Sequence, residues 1–239
     1  ELSAACVPYE KCRGGCETVF YGMEEDFPYY ASRIRTTAAG QSFLFHYPEG
    51  EMEIHLSVMG THNVNNAVAA LALACQYEVP LEDARRALSE YQPIAMRGVV
   101  KEVHGVHIID DTYNASPDSI NSNLHALFDY SPSGQKIAVL ADVLELGERS
   151  RELHQGIGHY ILEEKERGRE LSLLVTVGEE ALAIHETVRA GSAVPAVHCQ
   201  DKEEAAQEVR ARMKEGDWIL VKGSRGMHMD EVVERLTKE

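Results

Sequence analysis

Two adjacent carboxylates, Asp110 and Asp111, close the apolar run Val106 to Ile109, and Thr112, Tyr113 and Asn114 follow them. Ser116-Pro117 then opens a helical stretch: Ser caps free backbone N–H groups, and Pro suits the first helical position. Two acids, a phenol and an amide thus occupy a loop at the carboxyl end of a strand, the edge where open α/β sheets bind ligands. The same residue types would also serve an ordinary polar strand–loop–helix joint.

Two further loops carry reactive groups after apolar runs. Lys222-Gly223-Ser224-Arg225-Gly226 follows Trp218 to Val221. Two cations, a hydroxyl and the N–H groups of a following helix suit a carboxylate; a basic, solubilising turn is the alternative. Ala141 to Gly147 follows Lys136 to Leu140 and offers Asp142 and Glu145 to a cationic group, or simply turns at Gly147. His154, within the next helical stretch, reads as a surface or packing residue.

Upstream, Asn63 and Asn66 lie three apart in Gly60-Thr61-His62-Asn63-Val64-Asn65-Asn66 and share one face of a first helical turn. Their amides suit a planar base or a ribose, whereas Thr61 or Asn63 could merely cap that helix. His62 has no partner His or carboxylate at helical spacing. Arg97 stands in a linker, where a guanidinium could clamp a phosphate across an interdomain cleft or remain solvated. No Gly-x-x-x-x-Gly-Lys-Ser/Thr phosphate loop, Gly-x-Ser-x-Gly elbow or zinc-type His pair occurs.

The elements that must position these groups change character along the chain. Residues 42–58 alternate apolar and polar around Pro48-Glu49-Gly50, as a half-buried hairpin does, and residues 30–37 suggest another strand. Helical stretches follow near 63–76 and 81–90, and Pro93 to Gly98 reads as a linker. Beyond it, strand candidates at 106–110, 136–141, 171–177, 195–199 and 217–221 alternate with helices at 117–129, 150–167, 179–190, 202–214 and 227–236. That alternation predicts a mostly parallel sheet with helices on both faces, all strand-to-helix loops along one edge. The expected boundary separates residues 1–95 from 96–239.

Composition narrows the partners. A net charge of −16 over 239 residues argues against a nucleic-acid or anionic-membrane surface. No apolar run approaches the ~20 residues of a membrane span. Cys6, Cys12, Cys16, Cys75 and Cys199 suit a reducing cytoplasm; the first three could hold a structural metal, though their spacing matches no standard zinc pattern. Glu1-Leu2-Ser3 resembles a cut inside a longer protein.

In this order the segments resemble the Mur ligases. Gly60 to Asn66 is similar to the family's GxHNxxN, and Asp110 to Pro117 to DDSYNANP. Val139 to Gly147 with His154 is similar to VLGDMLELG…H, and Val221 to Met229 to VKGSRxxxM. The last three mark the dipeptide-adding branch, and the match runs from about Val19 to Leu236. The resemblance implies the end of a central ATPase domain followed by a Rossmann-like C-terminal domain. A missing portion would hold the phosphate loop, the Mg²⁺ ligands and a carbamylated lysine, so the fragment alone would be inactive and would hold no catalytic or metal-binding residue.

The implied activity is ATP-dependent addition of D-alanyl-D-alanine to UDP-N-acetylmuramoyl-tripeptide through an acyl phosphate, in the cytoplasm, by a monomer. By motif position, Asn63, Asn66, Arg97 and Asp111 would meet ATP. Tyr113, Asn114, Ser116, Asp142, Glu145, Lys222, Ser224 and Arg225 would face the dipeptide. Met96 stands where the family has Gly, Ser116 where it has Asn, and Ala141 where it has Gly. A single-amino-acid ligase of the same superfamily (the folylpolyglutamate synthase type) and a non-catalytic nucleotide- or peptide-binding module are the competing readings.

Overall fold

The computed structural model describes residues 18–37, 40–58, 60–92, 94–129, 134–191 and 194–238. Cys6, Cys12, Cys16 and Pro93 lie outside them. The chain divides into two compact units, residues 1–57 with 62–91 and residues 58–61 with 92–239.

The first unit carries a sheet ordered β1 (Tyr21–Gly22), β2 (Tyr29–Thr37), β3 (Gly40–Tyr47) and β4 (Gly50–Leu56). β1 runs parallel to β2, and the other neighbours are antiparallel. Alternation along β4 buries Ile54 and Leu56 and exposes Glu53 and His55, the period-two pattern read in the sequence. Pro48-Glu49 makes the two-residue turn, with Tyr47 opposite Gly50. Helices α1 (Thr61–Gln76) and α2 (Leu81–Glu90) follow. α1 buries Val64, Ala67, Val68, Leu71 and Ala72, a stripe at helical spacing.

The second unit is an open six-stranded sheet. In chain order its elements are β5 (Val99–Val103), β6 (Val106–Asp111), α3 (Pro117–Asp129), β7 (Lys136–Ala141), α4 (Ser150–Glu166), β8 (Leu173–Val177), α5 (Leu182–Gly191), β9 (Ala196–Cys199), α6 (Lys202–Arg210), β10 (Trp218–Lys222) and α7 (Asp230–Thr237). The sheet order is β5-β6-β10-β7-β8-β9, and every pairing except β5–β6 is parallel.

β5 lies just beyond the Pro93 to Gly98 linker, in a stretch to which the sequence reading assigned no element, because Val-Val-Lys-Glu-Val lacks a long apolar run. His104 (φ 50°) and Gly105 (φ 73°) form the tight turn to β6, both in the left-handed region that a primed hairpin turn requires. The last helix starts at Asp230 rather than 227, since residues 225–227 form a single tight turn and His228 is left-handed (φ 50°).

Right-handed crossovers distribute the helices. The steps from β6 through β7 and β8 to β9 run one way across the sheet and put α3, α4 and α5 on one face. There Leu124, Ile157 and Ile184 pack on Leu140, Leu174 and Leu220. The return to β10 runs the other way and puts α6 and α7 on the opposite face. There Val209, Val232 and Val233 pack on Val139, Val175 and Ile219. Both faces are covered, which is why these strands read as continuous apolar runs.

Near the far edge, His185 on α5 faces His198 on β9, ring centroids 5.9 Å apart, and Thr176 Oγ1 lies 2.9 Å from His198 Nδ1. Burial first, and then His198 and Arg189, push His185 below the ordinary histidine range, with Glu186 opposing. The folded chain therefore binds fewer protons than the unfolded chain just below pH ~6.5. Stability is expected to be whole above that pH and to decline as pH falls through it. Denaturant titrations from about pH 7.5 to about pH 5 should show a shallower decline in His185→Gln. Equal slopes would exclude His185 as a source.

Candidate functional site

The sheet order sets the carboxyl ends of β6, β10 and β7 side by side. The chain leaves β6 and β7 toward α3 and α4 on one face and leaves β10 toward α7 on the other. Loops that diverge from neighbouring strands leave a crevice between them, the general ligand position in open α/β sheets. All three chemically unusual loops lie at these strand ends.

Strand alternation separates the acid pair. Asp110 is 2% exposed, and both its oxygens are taken: Lys101 Nζ donates to Oδ2 at 2.9 Å and Thr112 Oγ1 to Oδ1 at 2.7 Å. Asp110 therefore ties β5 to β6. Asp111 points the other way, toward α3. Its Oδ2 accepts from Asn123 Nδ2 at 2.6 Å and from Lys222 Nζ, the residue in register with it on β10. Lys222 Nζ also donates to the Asn114 carbonyl at 2.9 Å. Asp111 Oδ1 has no hydrogen-bond partner among the described residues.

Asn114 and Ser116 are exposed at the mouth of the loop. Ser116 caps α3, as its type suggested: its Oγ accepts from Ser119 N at 3.2 Å, and Ser116 N donates to Ser119 Oγ at 2.9 Å. The pair forms a reciprocal cap.

The β7 loop is braced against the β10 loop. Ser224 N donates to Asp142 O at 3.0 Å, and Ser224 Oγ accepts from Leu144 N at 2.9 Å. His154 is fully buried, which selects the packing alternative of its sequence reading over the surface one. Its Nε2 accepts from Val143 N at 3.0 Å, and Nδ1 lies 2.8 Å from Ser150 O, so the bond pattern assigns the proton to Nδ1. The Asp142 carboxylate is 7% exposed and turns inward, where Oδ1 accepts from Ala181 N at 2.7 Å. Burial pushes its carboxyl up, against the lowering effect of the Ala181 N–H. Glu145 is exposed in the left-handed region (φ 66°), and its side chain makes no ion pair or hydrogen bond among the described residues.

The segment before β5 is clamped to these loops. Tyr113 N donates to Met96 O at 3.0 Å, and the Arg97 guanidinium lies 4.2 Å from the Tyr113 ring centroid. Such a stacked cation is worth roughly 0.5–1 kcal/mol at an exposed site. Arg225 Nη1 reaches Met96 Sδ at 3.2 Å. Met96 holds φ 68°, so the residue that departs from the family's Gly sits in a conformation that Gly adopts without strain. Gly at position 96 is expected to exceed Ala in stability by about 1 kcal/mol, the reverse of the usual order. Denaturation of Met96→Gly and Met96→Ala measures this; Ala equal to Gly would show that the turn carries no strain.

Asn63 and Asn66 lie in the first and second turns of α1 in the first unit, Asn63 half-buried and Asn66 exposed. Among the described residues no group of three or more His, Cys, Asp or Glu could hold a metal ion, and no helix is long and apolar enough to cross a membrane. Asn123 escaped the sequence reading, and the anchoring role of His154 was not read from it. Asn123 lies in the apolar stripe of α3 with Ile120, Leu124 and Leu127, and His154 in that of α4 with Ile157 and Ile161. A polar side chain in a buried stripe was the available signal.

An open, mostly parallel α/β sheet with helices on both faces defines a Rossmann-like domain. The chain belongs to the Mur ligase family: residues 97–225 match the family described as Mur ligase, glutamate ligase domain, and residues 7–74 the Mur ligase middle domain. It is 31% identical over 223 residues to the UDP-N-acetylmuramoyl-tripeptide–D-alanyl-D-alanine ligase of Bacillus subtilis, covering 92% of this chain and 47% of that one. Identity to the ligase of the same name from Haemophilus influenzae is 33%, over 86% of this chain and 44% of that one. The crystal structure of MurF from Acinetobacter baumannii superposes with a TM-score of 0.79 at 28% identity, covering 92% of this chain and 46% of that one. The MurF ligase from Thermotoga maritima in complex with ADP also gives 0.79, at 26% identity, with coverages of 92% and 48%. The chain spans about half the length of the curated relatives it matches.

Proposed function

We propose that this chain is the acceptor-delivering half of an ATP-dependent ligase that joins D-alanyl-D-alanine to UDP-N-acetylmuramoyl-tripeptide in peptidoglycan precursor synthesis. The observation that carries the reading is that the Asp110–Ser116, Asp142–Gly147 and Lys222–Gly226 loops lie at the carboxyl ends of three adjacent strands and are bonded to one another, in a chain whose relatives of similar sequence bear that ligase name.

In this reading ATP phosphorylates the terminal carboxylate of the tripeptide. The dipeptide amine then attacks the acyl carbon, a tetrahedral adduct forms, and inorganic phosphate leaves as the amide closes. The amine nitrogen gives up its proton to solvent or to the departing phosphate; the residues described here orient the reactants, and positioning of this kind supplies much of a ligase's rate. Asp111 presents one free carboxylate oxygen to a ribose hydroxyl. Tyr113, Asn114 and Ser116 line the acceptor side, with Glu145 as the carboxylate the β7 loop leaves open. Arg225, 52% exposed, is the cation placed to read the dipeptide carboxylate. Arg97 serves the nucleotide phosphate after leaving the Tyr113 ring, and Asn63 and Asn66 serve the adenine side. Mg²⁺ would neutralise the nucleotide phosphates, and no step is carried by a metal held on these residues. Such an enzyme works in the cytoplasm, where ATP and the UDP-linked acceptor are made, and as a monomer.

Phosphate release from ATP by the whole protein tests the proposal. Release should require both UDP-N-acetylmuramoyl-tripeptide and D-alanyl-D-alanine. Equal or faster release with D-glutamate, L-lysine or a folate plus glutamate would move the protein to a single-amino-acid branch. Release without any acceptor amine would remove the ligase reading.

A further inference from the structure

We infer that Lys222 is a positioning residue of the ligation site, not a ligand for the dipeptide carboxylate. The inference rests on the ligase reading above and deepens it. The Lys222 side chain is 3% exposed and that of Asp111 17%. Two of the three ammonium donors are directed inward, to Asp111 Oδ2 and to the Asn114 carbonyl at 2.9 Å. An ammonium buried on those partners offers no face to an incoming carboxylate, whereas Arg225 on the same loop is 52% exposed.

The bonds have a directional consequence. Lys222 and Asn123 converge on one oxygen of Asp111, Asn123 from 2.6 Å. Its rotamer is thereby held, and Oδ1 is left as the presented acceptor. Because Lys222 balances its charge, that oxygen suits a hydroxyl and exerts little pull on an ammonium. The bond to the Asn114 carbonyl registers the Tyr113-Asn114 segment against the same nitrogen. One ammonium therefore sets the geometry of the nucleotide-side acid and of the acceptor-side loop together.

Lys222→Met in the whole protein tests this, with D-alanyl-D-alanine and its C-terminal amide as alternative acceptors. The KM for ATP and the KM for the dipeptide should both rise, and kcat/KM should fall by about 100-fold, the scale of a 1 Å misplacement. The fold-loss should be the same with the amide. In an Asp111→Asn background the loss should shrink to a few-fold, since the anion to be held is gone. That double variant leaves no unpaired buried charge, so it is expected to fold even where Lys222→Met or Asp111→Asn, each of which strands one buried charge, folds poorly. A change confined to the dipeptide KM that vanishes with the amide, or fully additive losses in the double variant, would overturn the inference.

A readout independent of turnover separates it from the ligase reading. In this 239-residue chain the ¹⁵N-labelled Lys222 ammonium should give a slowly exchanging proton signal that is lost in Asp111→Asn. Its absence overturns the inference. Its presence in a protein that does not require the dipeptide overturns the ligase reading alone.

Discussion

Asp142→Ala is expected to lower the stability of the second unit at neutral pH by about 2–3 kcal/mol, a loss of roughly 5–10 °C in Tm. The side chain is 7% exposed, and its Oδ1 takes the Ala181 N–H at 2.7 Å. Ala leaves that buried donor unsatisfied just ahead of α5 and opens space beside Gly178, whose Cα hydrogen faces the same carboxylate. Asp142→Asn keeps an acceptor oxygen there and removes a desolvated charge, so its cost should be small. The pH dependence supplies a second check. Burial raises the folded carboxyl above its unfolded value, so the folded chain binds the extra proton. The contribution is fully present below about pH 3.9 and is lost as pH rises through the folded value. That decline should be missing from Asp142→Asn. Denaturant unfolding of the three proteins across this range measures both effects. An unchanged Tm in Asp142→Ala, with a raised KM for the dipeptide, would instead make Asp142 the ammonium reader suggested by its sequence position.

Arg225→Ala is expected to raise the KM for D-alanyl-D-alanine by about 10- to 100-fold, the value of a charge-assisted hydrogen bond of roughly 1.5–3 kcal/mol. The KM for ATP should stay where it is. Arg225 is 52% exposed and its contacts are slight, Met96 Sδ at 3.2 Å and Asp230 at 3.8 Å. Stability should therefore change by no more than about 0.5 kcal/mol. With the C-terminal amide of the dipeptide, wild type and variant should converge, because the carboxylate the guanidinium reads is gone. Steady-state kinetics with both acceptors decides it. A variant that still favours the carboxylate over the amide would move that task elsewhere. Together with the Lys222 series, this divides the two cations of one loop into a reader and a holder.

Local patterning carried most of the architecture. Period-two alternation in 42–58, the Ala- and Leu-rich stripe of α1 and the apolar runs of β6, β7, β8 and β10 each report on neighbours one to four residues away. Those elements stand where the patterns placed them, to within a turn. β5 was missed because a short, half-polar edge strand is defined by its partner and not by its own residues. The three reactive loops were also legible, since a strand that stops at charged residues and resumes as a capped helix is a local event.

The sequence by itself therefore determined every element with a strong local pattern, the covered parallel sheet and the identity of the three loops. It could not rank the side chains within them. Asp110 and Asp111 are equivalent in sequence, yet alternation on a sheet covered on both faces sends one to Lys101 and Thr112 and the other to Lys222 and Asn123. Lys222 and Arg225 look like a pair of free cations, yet β10 inserts between β6 and β7 and brings only the first into register with Asp111. Asp142 looks like a ligand group and caps the approach to α5; His154 reads as a surface or packing residue and is buried as the anchor of the β7 loop. These choices rest on contacts between residues up to 111 positions apart. Strand order and register create such contacts, and no local pattern encodes them, so only the tertiary structure decided which charges hold the site and which remain open to a ligand.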